Sequence, residues 1–202
     1  MVNLTSSETH MILGIRCPSC DSENMITSQT EYDVEHFGAV LFNITKCPKC
    51  GYRYTDLLSL EKREPTLIRA KINSLADLDI KVIKSGTATV NIPEFGATIT
   101  PGPNSEGFIT NVEGVLAKVE DALTFMLSSA DAEHIKIGEW ILKQIRNARN
   151  SGSHFTIIIE DPLGNSSLVA PDPSKIEKRR LTKEELREIR FGQYASNSSE
   201  DH

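Results

Sequence analysis

The chain has 202 residues, of which 39% are hydrophobic and 25% are charged, a composition typical of an ordinary folded protein. Its formal net charge of -6 is the wrong sign for a protein that binds nucleic acid mainly through phosphate contacts. No segment approaches the ~20 apolar residues that cross a bilayer, and residues 1–16 lack the apolar run of a secretory signal. We therefore expect a cytoplasmic protein with one substantial domain, alone or with a small metal module, and no membrane partner.

All four cysteines fall in two C-x-x-C pairs separated by 26 residues. In each pair a proline follows the first cysteine and favours a tight turn, and Gly51, after the second pair, can adopt a positive φ. Two such turns bring four thiolates to one ion, which is the ligand set of a structural zinc site with no open position. The sequence therefore predicts that Zn²⁺ is bound by Cys17, Cys20, Cys47 and Cys50.

Other uses of the same cysteines are weighed against zinc. Two disulfides would suit a secreted chain, but nothing indicates export, and disulfide-rich domains are usually shorter and richer in cysteine. A single C-x-x-C can be a redox motif, but two matched copies argue against that. An iron–sulfur cluster or a mononuclear iron takes the same ligands and stays an alternative. His36 is a conceivable fifth ligand, which we interpret instead as a loop residue.

The segment around the two pairs is rich in β-prone residues. Strands are predicted over Asn24–Tyr32 and Phe37–Thr45, joined near Glu35, and a third over Tyr52–Thr55. This arrangement is a three-stranded zinc ribbon. Between residues 17 and 60 it carries three cations and six anions, so no basic stripe is available for a nucleic-acid backbone. We therefore expect a protein partner rather than nucleic acid.

Short strands predominate after the ribbon. Alternation of apolar and polar residues predicts them at Thr66–Asn73, Ile80–Lys84, Thr87–Ile92 and Thr98–Thr100. The second and third of these are separated by Ser85-Gly86, a tight-turn signal. A continuous apolar run, His154–Glu160, predicts a buried central strand closed by a turn. Short strands with evenly spaced turns indicate a small barrel or sandwich.

Helical spacing replaces this alternation in the middle of the chain. The first helix is predicted over Val112–Leu127, and Asp131 can cap a second helix that ends near Asn150. We expect the two helices to form an antiparallel hairpin inserted into one β-domain, with Trp140 as a core anchor. The apolar stripe of the second helix comprises Ile137, Trp140, Ile141, Ile145 and Ala148.

These elements predict an α+β, mainly β chain. The zinc ribbon occupies residues 1–55, and a β-domain follows over 56–170 with its helical hairpin at about 112–150. Residues 171–202 are expected to form a polar, partly helical tail. Within it, Thr182 and Glu185 make a capping box for a helix over Leu181–Phe191, and the end after Ser196 is expected to fray.

Three stretches outside the cysteine pairs resemble the ZPR-one zinc-finger family, namely Ile92–Phe95, Thr110–Leu116 and Phe155–Ser166. The last follows the family's pattern of a hydrophobic strand ending in Asp-Pro-x-Gly-Asn-Ser. The resemblance covers residues 17–169 and implies a zinc ribbon followed by a double-stranded β-helix domain with a helical hairpin. It also implies a binding partner, and a folding chaperone, of translation elongation factor one-alpha. Eukaryotic members carry two such modules, whereas this chain resembles an archaeal-type member with one.

The sequence offers no catalytic residues and no organic cofactor site. It lacks the P-loop, serine-hydrolase, zinc-protease and dinucleotide motifs, and neighbouring Glu160 and Asp161 point to opposite faces of a strand. The signature residues Asp161, Gly164 and Asn165 suit a sharp turn, so we assign them a structural role. The leading hypothesis is a zinc-dependent protein-binding module that acts on the elongation factor. The alternative is a zinc-ribbon protein of transcription or RNA binding.

Overall fold

The computed structural model describes residues 10–34, 38–59, 63–102, 105–151 and 153–189. The expected ribbon turn near Glu35, the possible ligand His36 and the expected frayed end after Ser196 lie outside these ranges. Within them, twelve strands form three sheets and are accompanied by three α-helices. The predicted class, mainly β with an N-terminal four-cysteine cluster, is confirmed.

The N-terminal sheet contains four antiparallel strands in sequence order. They are β1 (His10–Ile15), β2 (Met25–Val34), β3 (Gly38–Lys46) and β4 (Arg53–Ser59). The sequence predicted the last three and missed β1. Gly14 has a φ of 106° and a bulge shifts the register between Leu13 and Ile15, so this segment carries no regular alternation that would identify it.

The remaining strands form two sheets that share one hydrophobic core. The five-stranded sheet has the order β12-β5-β10-β7-β8 and the three-stranded sheet the order β11-β6-β9. Their bounds are β5 (Thr66–Ile72), β6 (Lys81–Lys84), β7 (Thr89–Ile92), β8 (Ala97–Ile99), β9 (Phe108–Asn111), β10 (Phe155–Asp161), β11 (Ser167–Val169) and β12 (Ile176–Arg180).

Strand β10 is central, as predicted. It pairs antiparallel with β5 along its full length and with β7 on its other side. Alternate residues of β10, beginning with Phe155 and ending with Asp161, are buried. The tight turn at Ser85-Gly86 does not join paired strands, because β6 lies in the three-stranded sheet and β7 in the five-stranded sheet. The chain therefore changes sheets at that turn.

The helical hairpin has the predicted ends. Helix α1 spans Val112–Leu127 and helix α2 spans Ala132–Ser151. Asp131 caps α2, since its Oδ1 accepts hydrogen bonds from the backbone N–H groups of Glu133 (3.1 Å) and His134 (3.0 Å). No helix among the described residues combines the length and apolarity needed to cross a membrane.

The prediction that Trp140 anchors the core is wrong, because its side chain is 57% exposed. Ile137, in the same predicted stripe, is 54% exposed, whereas Ile145 and Ala148 are buried as predicted. In α1, likewise, the buried residues are confined to the first turns, Val112–Leu116. The periodicity identified an apolar stripe, but the sheets cover only the base of the hairpin.

The segment after residue 171 is not simply a polar tail. Ile176–Arg180 forms β12 and pairs with β5 at one edge of the five-stranded sheet. An edge strand tolerates charged side chains, so it gives no apolar alternation in the sequence. Helix α3 (Lys183–Glu188) follows, and the predicted capping box of Thr182 and Glu185 is present.

Candidate metal centre

Two turns of matching geometry carry the cysteine pairs. The N–H of Cys17 donates to the carbonyl of Ser22, and the N–H of Cys47 donates to the carbonyl of Tyr52, each at 2.8 Å. Both bonds span five residues and fold the backbone back beneath the sulfur atoms. The two turns are therefore equivalent in hydrogen bonding as well as in spacing.

The residue after each pair adopts a left-handed conformation. Gly51 has a φ of 77° and Asp21 a φ of 56°, and their N–H groups donate to the carbonyls of Cys47 and Cys17 at 3.0 and 2.8 Å. Gly51 was predicted for this role, whereas Asp21 was not. Aspartate is one of the few non-glycine residues that enter this region readily, and that preference is the available sequence signal.

The four thiols converge on one point. Their Sγ atoms all lie within 4.8 Å of one another, and the Cys17–Cys50 and Cys20–Cys47 pairs are 3.6 Å apart. A tetrahedral ion with Zn–S bonds of ~2.3 Å requires sulfur separations of about 3.8 Å. A disulfide requires ~2.05 Å, so this arrangement suits one ion and not two disulfides.

The pKa values of the cysteine thiols also favour a bound cation. The backbone N–H of Tyr52 and the neighbouring thiols lower the pKa of Cys50 to about 6. At Cys20 the backbone N–H of Ser22 lowers the pKa, but partial burial and the three other thiols outweigh it and raise the pKa to about 12. Four thiolates at this spacing therefore need a positive charge among them, which a divalent ion supplies.

The ribbon rests directly on the β-domain. Val40 of β3 and Leu57 of β4 form a buried cluster with Ile83 of β6. The N–H of Gly107 donates to the carbonyl of Thr55 (3.1 Å), and a Cβ at Gly107 would lie 2.9 Å from the Cβ of Leu57. A glycine is needed at this contact because the backbones approach too closely for a side chain.

The signature turn is structural, as predicted. Asp161 is fully buried, and its carboxylate accepts hydrogen bonds from the hydroxyls of Ser166 (2.6 Å) and Ser85 (2.9 Å). It accepts two more, from the Thr87 hydroxyl at 3.1 Å and the Leu163 N–H at 2.9 Å. The carboxylate thereby ties the end of β10 to the turn where the chain changes sheets, and it is not available to a partner.

The same cluster contains a buried lysine that no pattern in the sequence indicates. Lys84 is 0% exposed, and its Nζ donates to the Ser85 carbonyl at 2.9 Å and lies 3.4 Å from the Ser105 Oγ. Burial lowers the pKa of Lys84 to about 8, although the charges of Asp161 and Asp56 act in the opposite direction. The ammonium is therefore held at a cost in stability.

Replacing Lys84 by methionine is expected to change how stability depends on pH. The folded-state pKa of about 8 lies below the ordinary value of 10.5, so the unfolded chain keeps the proton to higher pH and stability rises between these values. From pH 7 to 9.5 the rise amounts to about 2 kcal/mol, and Lys84→Met should lose it. Urea unfolding of zinc-loaded protein measures this, with exposed Lys71→Met as the control. An equal rise in wild type and Lys84→Met would contradict the assignment.

The outer turns of the hairpin carry large apolar side chains that are exposed. Four large side chains, here called the hairpin patch, are Phe125 (80% exposed), Met126 (64%), Ile137 (54%) and Trp140 (57%). The sequence did not predict this patch, because the stripe that contains Ile137 and Trp140 was expected to pack in the core. No pattern in the sequence distinguishes an apolar stripe that the sheets cover from one that they leave exposed.

The β-domain matches a known family. Residues 76–191, more than half of the chain, match the family model of the ZPR1 jelly-roll domain. The chain belongs to the ZPR1 family. A jelly roll is the double-stranded β-helix that the resemblance implied. The match also extends through β12 and α3, in agreement with their place beside the β-domain.

Relatives within the ZPR1 family come from archaea and eukaryotes. A ZPR1-like protein of Pyrococcus horikoshii is 36% identical over 183 residues, which is 88% of this chain and 81% of that protein. One of Methanocaldococcus jannaschii is 36% identical over 179 residues, or 87% and 88% of the two chains. The zinc finger chaperone zpr1 of Schizosaccharomyces pombe is 34% identical over 182 residues, which is 85% of this chain and 39% of the relative.

Proposed function

We propose that Cys17, Cys20, Cys47 and Cys50 bind one structural Zn²⁺. The sulfur separations and the matched turns support a closed four-thiolate site, and eukaryotic relatives are named as a zinc finger chaperone or a zinc finger protein. A bound ion would take the place of a hydrophobic core at this end of the ribbon, because the buried cluster there consists of Met25, Cys17 and Cys47.

The chain, we further propose, is a cytoplasmic, non-catalytic module that binds translation elongation factor one-alpha and assists its folding. The hairpin patch carries this proposal, because exposed clusters of large apolar side chains mark protein interaction sites. Tryptophan is enriched at the energetic centres of such sites. The name of the fission yeast relative, a zinc finger chaperone, supports the same class of activity.

Charge supports this choice of client. The chain has a net charge of -6, whereas elongation factors carry basic nucleic-acid-binding surfaces. Opposite charges steer association and orient the partners. The complex should therefore form more slowly as salt increases. The acidic ribbon offers no comparable attraction for RNA, so nothing in the described part of the chain favours the transcription or RNA-binding alternative.

Replacing Trp140 by alanine is expected to weaken binding to purified elongation factor at least tenfold, because aromatic anchors contribute about 2 kcal/mol or more. Biolayer interferometry with zinc-loaded protein measures the dissociation constant. Leu163→Ala is the matched control, since Leu163 is 49% exposed but lies in the turn after β10. Equal binding by both variants would remove the hairpin patch from the interface. No binding by the wild type, in any nucleotide state of the factor, would refute the proposed function.

A further inference from the structure

A groove runs between strand β8 and helix α1. We propose that this groove, here called the β8 groove, binds an extended segment of a partner protein as an added strand of the five-stranded sheet. The segment would present apolar side chains at alternate positions and one acidic side chain. The inference rests on the proposed function only in that the chain is a protein-binding module.

Strand β8 is one end of the five-stranded sheet, and β7 is its only partner among the described strands. In the described part of the chain, no backbone group of Ala97, Thr98 or Ile99 bonds to anything beyond that neighbour. An open edge presents unpaired N–H and C=O groups, which form a template for another strand. The opposite edge strand, β12, is protected by its charged side chains.

The groove beside this edge is large and apolar. Its volume is about 350 Å³, within the ~300–1,000 Å³ range of binding pockets. Three consecutive residues of β8 line it, opposite Val119 and Leu123 of α1. Met126, which also belongs to the hairpin patch, lines it as well. Because side chains alternate along a strand, a cavity lined by consecutive residues runs along the edge and not over one face. An extended backbone placed there can pair with β8 while its side chains contact α1.

The floor of the groove is continuous with the main core. Ala97, Ile99 and Val119 are only partly buried and pack against the core cluster. An apolar side chain entering the groove would complete their burial, which favours binding. Backbone pairing then supplies affinity, and the spacing of the apolar side chains supplies selectivity, as in strand addition generally.

A charged side chain beside the groove determines the charge expected in the bound segment. Among the described residues that line the groove, Lys118 is the only one with an ionisable side chain. Its Nζ lies 5.0 Å from the centre of the Phe108 ring, and no carboxylate within the described ranges forms an ion pair with it. An ammonium on an aromatic face beside an apolar groove favours a carboxylate at the rim. The partner segment therefore carries an aspartate or glutamate next to its apolar residues.

To test the proposal, peptides that bind the full-length, zinc-loaded chain are selected from a displayed library of random decapeptides. Enriched peptides should alternate apolar residues and contain one acidic residue. The most enriched peptide, capped at both ends, should bind at least tenfold more weakly to Lys118→Glu in fluorescence anisotropy. Lys143→Glu makes the same charge change on the exposed side of α2 and should leave binding unchanged. Hydrogen exchange should slow at least tenfold within Ala97–Ile99 when the peptide binds.

Several results would overturn the proposal. The proposal is wrong if no peptide is enriched, or if the enriched peptides have apolar residues at the helical spacing of three and four. It is also wrong if Lys118→Glu and Lys143→Glu bind the peptide equally, or if the peptide protects the helices but not β8. The free chain is measured as well. If β8 is already protected and Phe191→Ser removes that protection, the chain's own C-terminal segment is the occupant. Protection that grows with protein concentration identifies a second copy. Either outcome replaces the partner segment proposed here.

This test is separable from that of the proposed function. Suppose that Trp140→Ala still binds the peptide and that the wild type does not bind the elongation factor. This result would support the β8 groove as a binding site and would contradict the elongation factor as the partner. Binding of the elongation factor without any binding of extended peptides would do the reverse.

Discussion

Replacing Cys47 by serine is expected to abolish zinc binding and to unfold the ribbon while the β-domain keeps its structure. The fold of a small metal module is coupled to its ion, and apparent binding free energies of structural zinc sites reach ~10–16 kcal/mol. Cys47 is 2% exposed and packs against Cys17 and Met25, so an empty site leaves little core. Elemental analysis gives the metal content, and hydrogen exchange over residues 17–55 reports the unfolding.

Ser19→Ala is the control for Cys47→Ser, because Ser19 lies in the other turn with its side chain exposed. It should retain one zinc per chain. Treatment of the wild type with a chelator should reproduce the effect of Cys47→Ser on residues 17–55. A Cys47→Ser protein with stoichiometric zinc and a protected ribbon would contradict the ligand assignment. Iron in the purified protein, seen by its visible absorption, would contradict the choice of metal.

Replacing Asp161 by alanine should lower the free energy of unfolding of the β-domain by about 3–5 kcal/mol, the cost of breaking a buried charged network by removing one partner. Three hydroxyl groups and one N–H lose their acceptor, and the buried ammonium of Lys84 loses a nearby negative charge. Urea unfolding of the zinc-saturated protein, followed by circular dichroism, measures the change.

Asp172→Ala is the matched control for Asp161→Ala. The Asp172 carboxylate also accepts hydrogen bonds from an N–H and a hydroxyl, those of Ser174, but it is exposed. Its loss should cost no more than about 1 kcal/mol. Similar losses in the two variants would show that the buried network contributes little. A near-neutral Asp161→Ala would also reopen the question of why the signature carboxylate is present.

The cysteine site could be predicted from the sequence because its determinants are local. Two residues between cysteines, with a proline after the first cysteine of each pair, specify each turn almost independently of the rest of the chain. The same holds for α1 and for the cap at Asp131, where a few adjacent residues supply the whole signal. Strands β5 and β10 were recognisable because their alternation or apolar content reflects burial directly.

The features that the sequence did not predict depend on what lies across the fold. Trp140 belongs to an apolar stripe, but whether the stripe is covered depends on how far the sheets reach. Strand β12 is polar because it is an edge, so nothing in its composition distinguishes it from a tail. The burial of Lys84 could not be predicted, because it depends on the change of sheet at Ser85-Gly86. That change places the ammonium of Lys84 near Asp161. Periodicity indicates which face of a helix or strand is apolar, but it does not indicate how far the neighbouring elements extend over that face.

The two helices of the hairpin are fastened to each other near its base. Arg149 pairs with Glu113 and Glu120, and Arg146 also pairs with Glu120, close to the turns of α1 that the core covers. Beyond these ion pairs, the outer turns contribute little to the cohesion of the β-domain. The hairpin can therefore change in length or in surface residues between species without endangering the fold. Natural variation in client preference should accordingly concentrate in its outer turns, while its base stays constant.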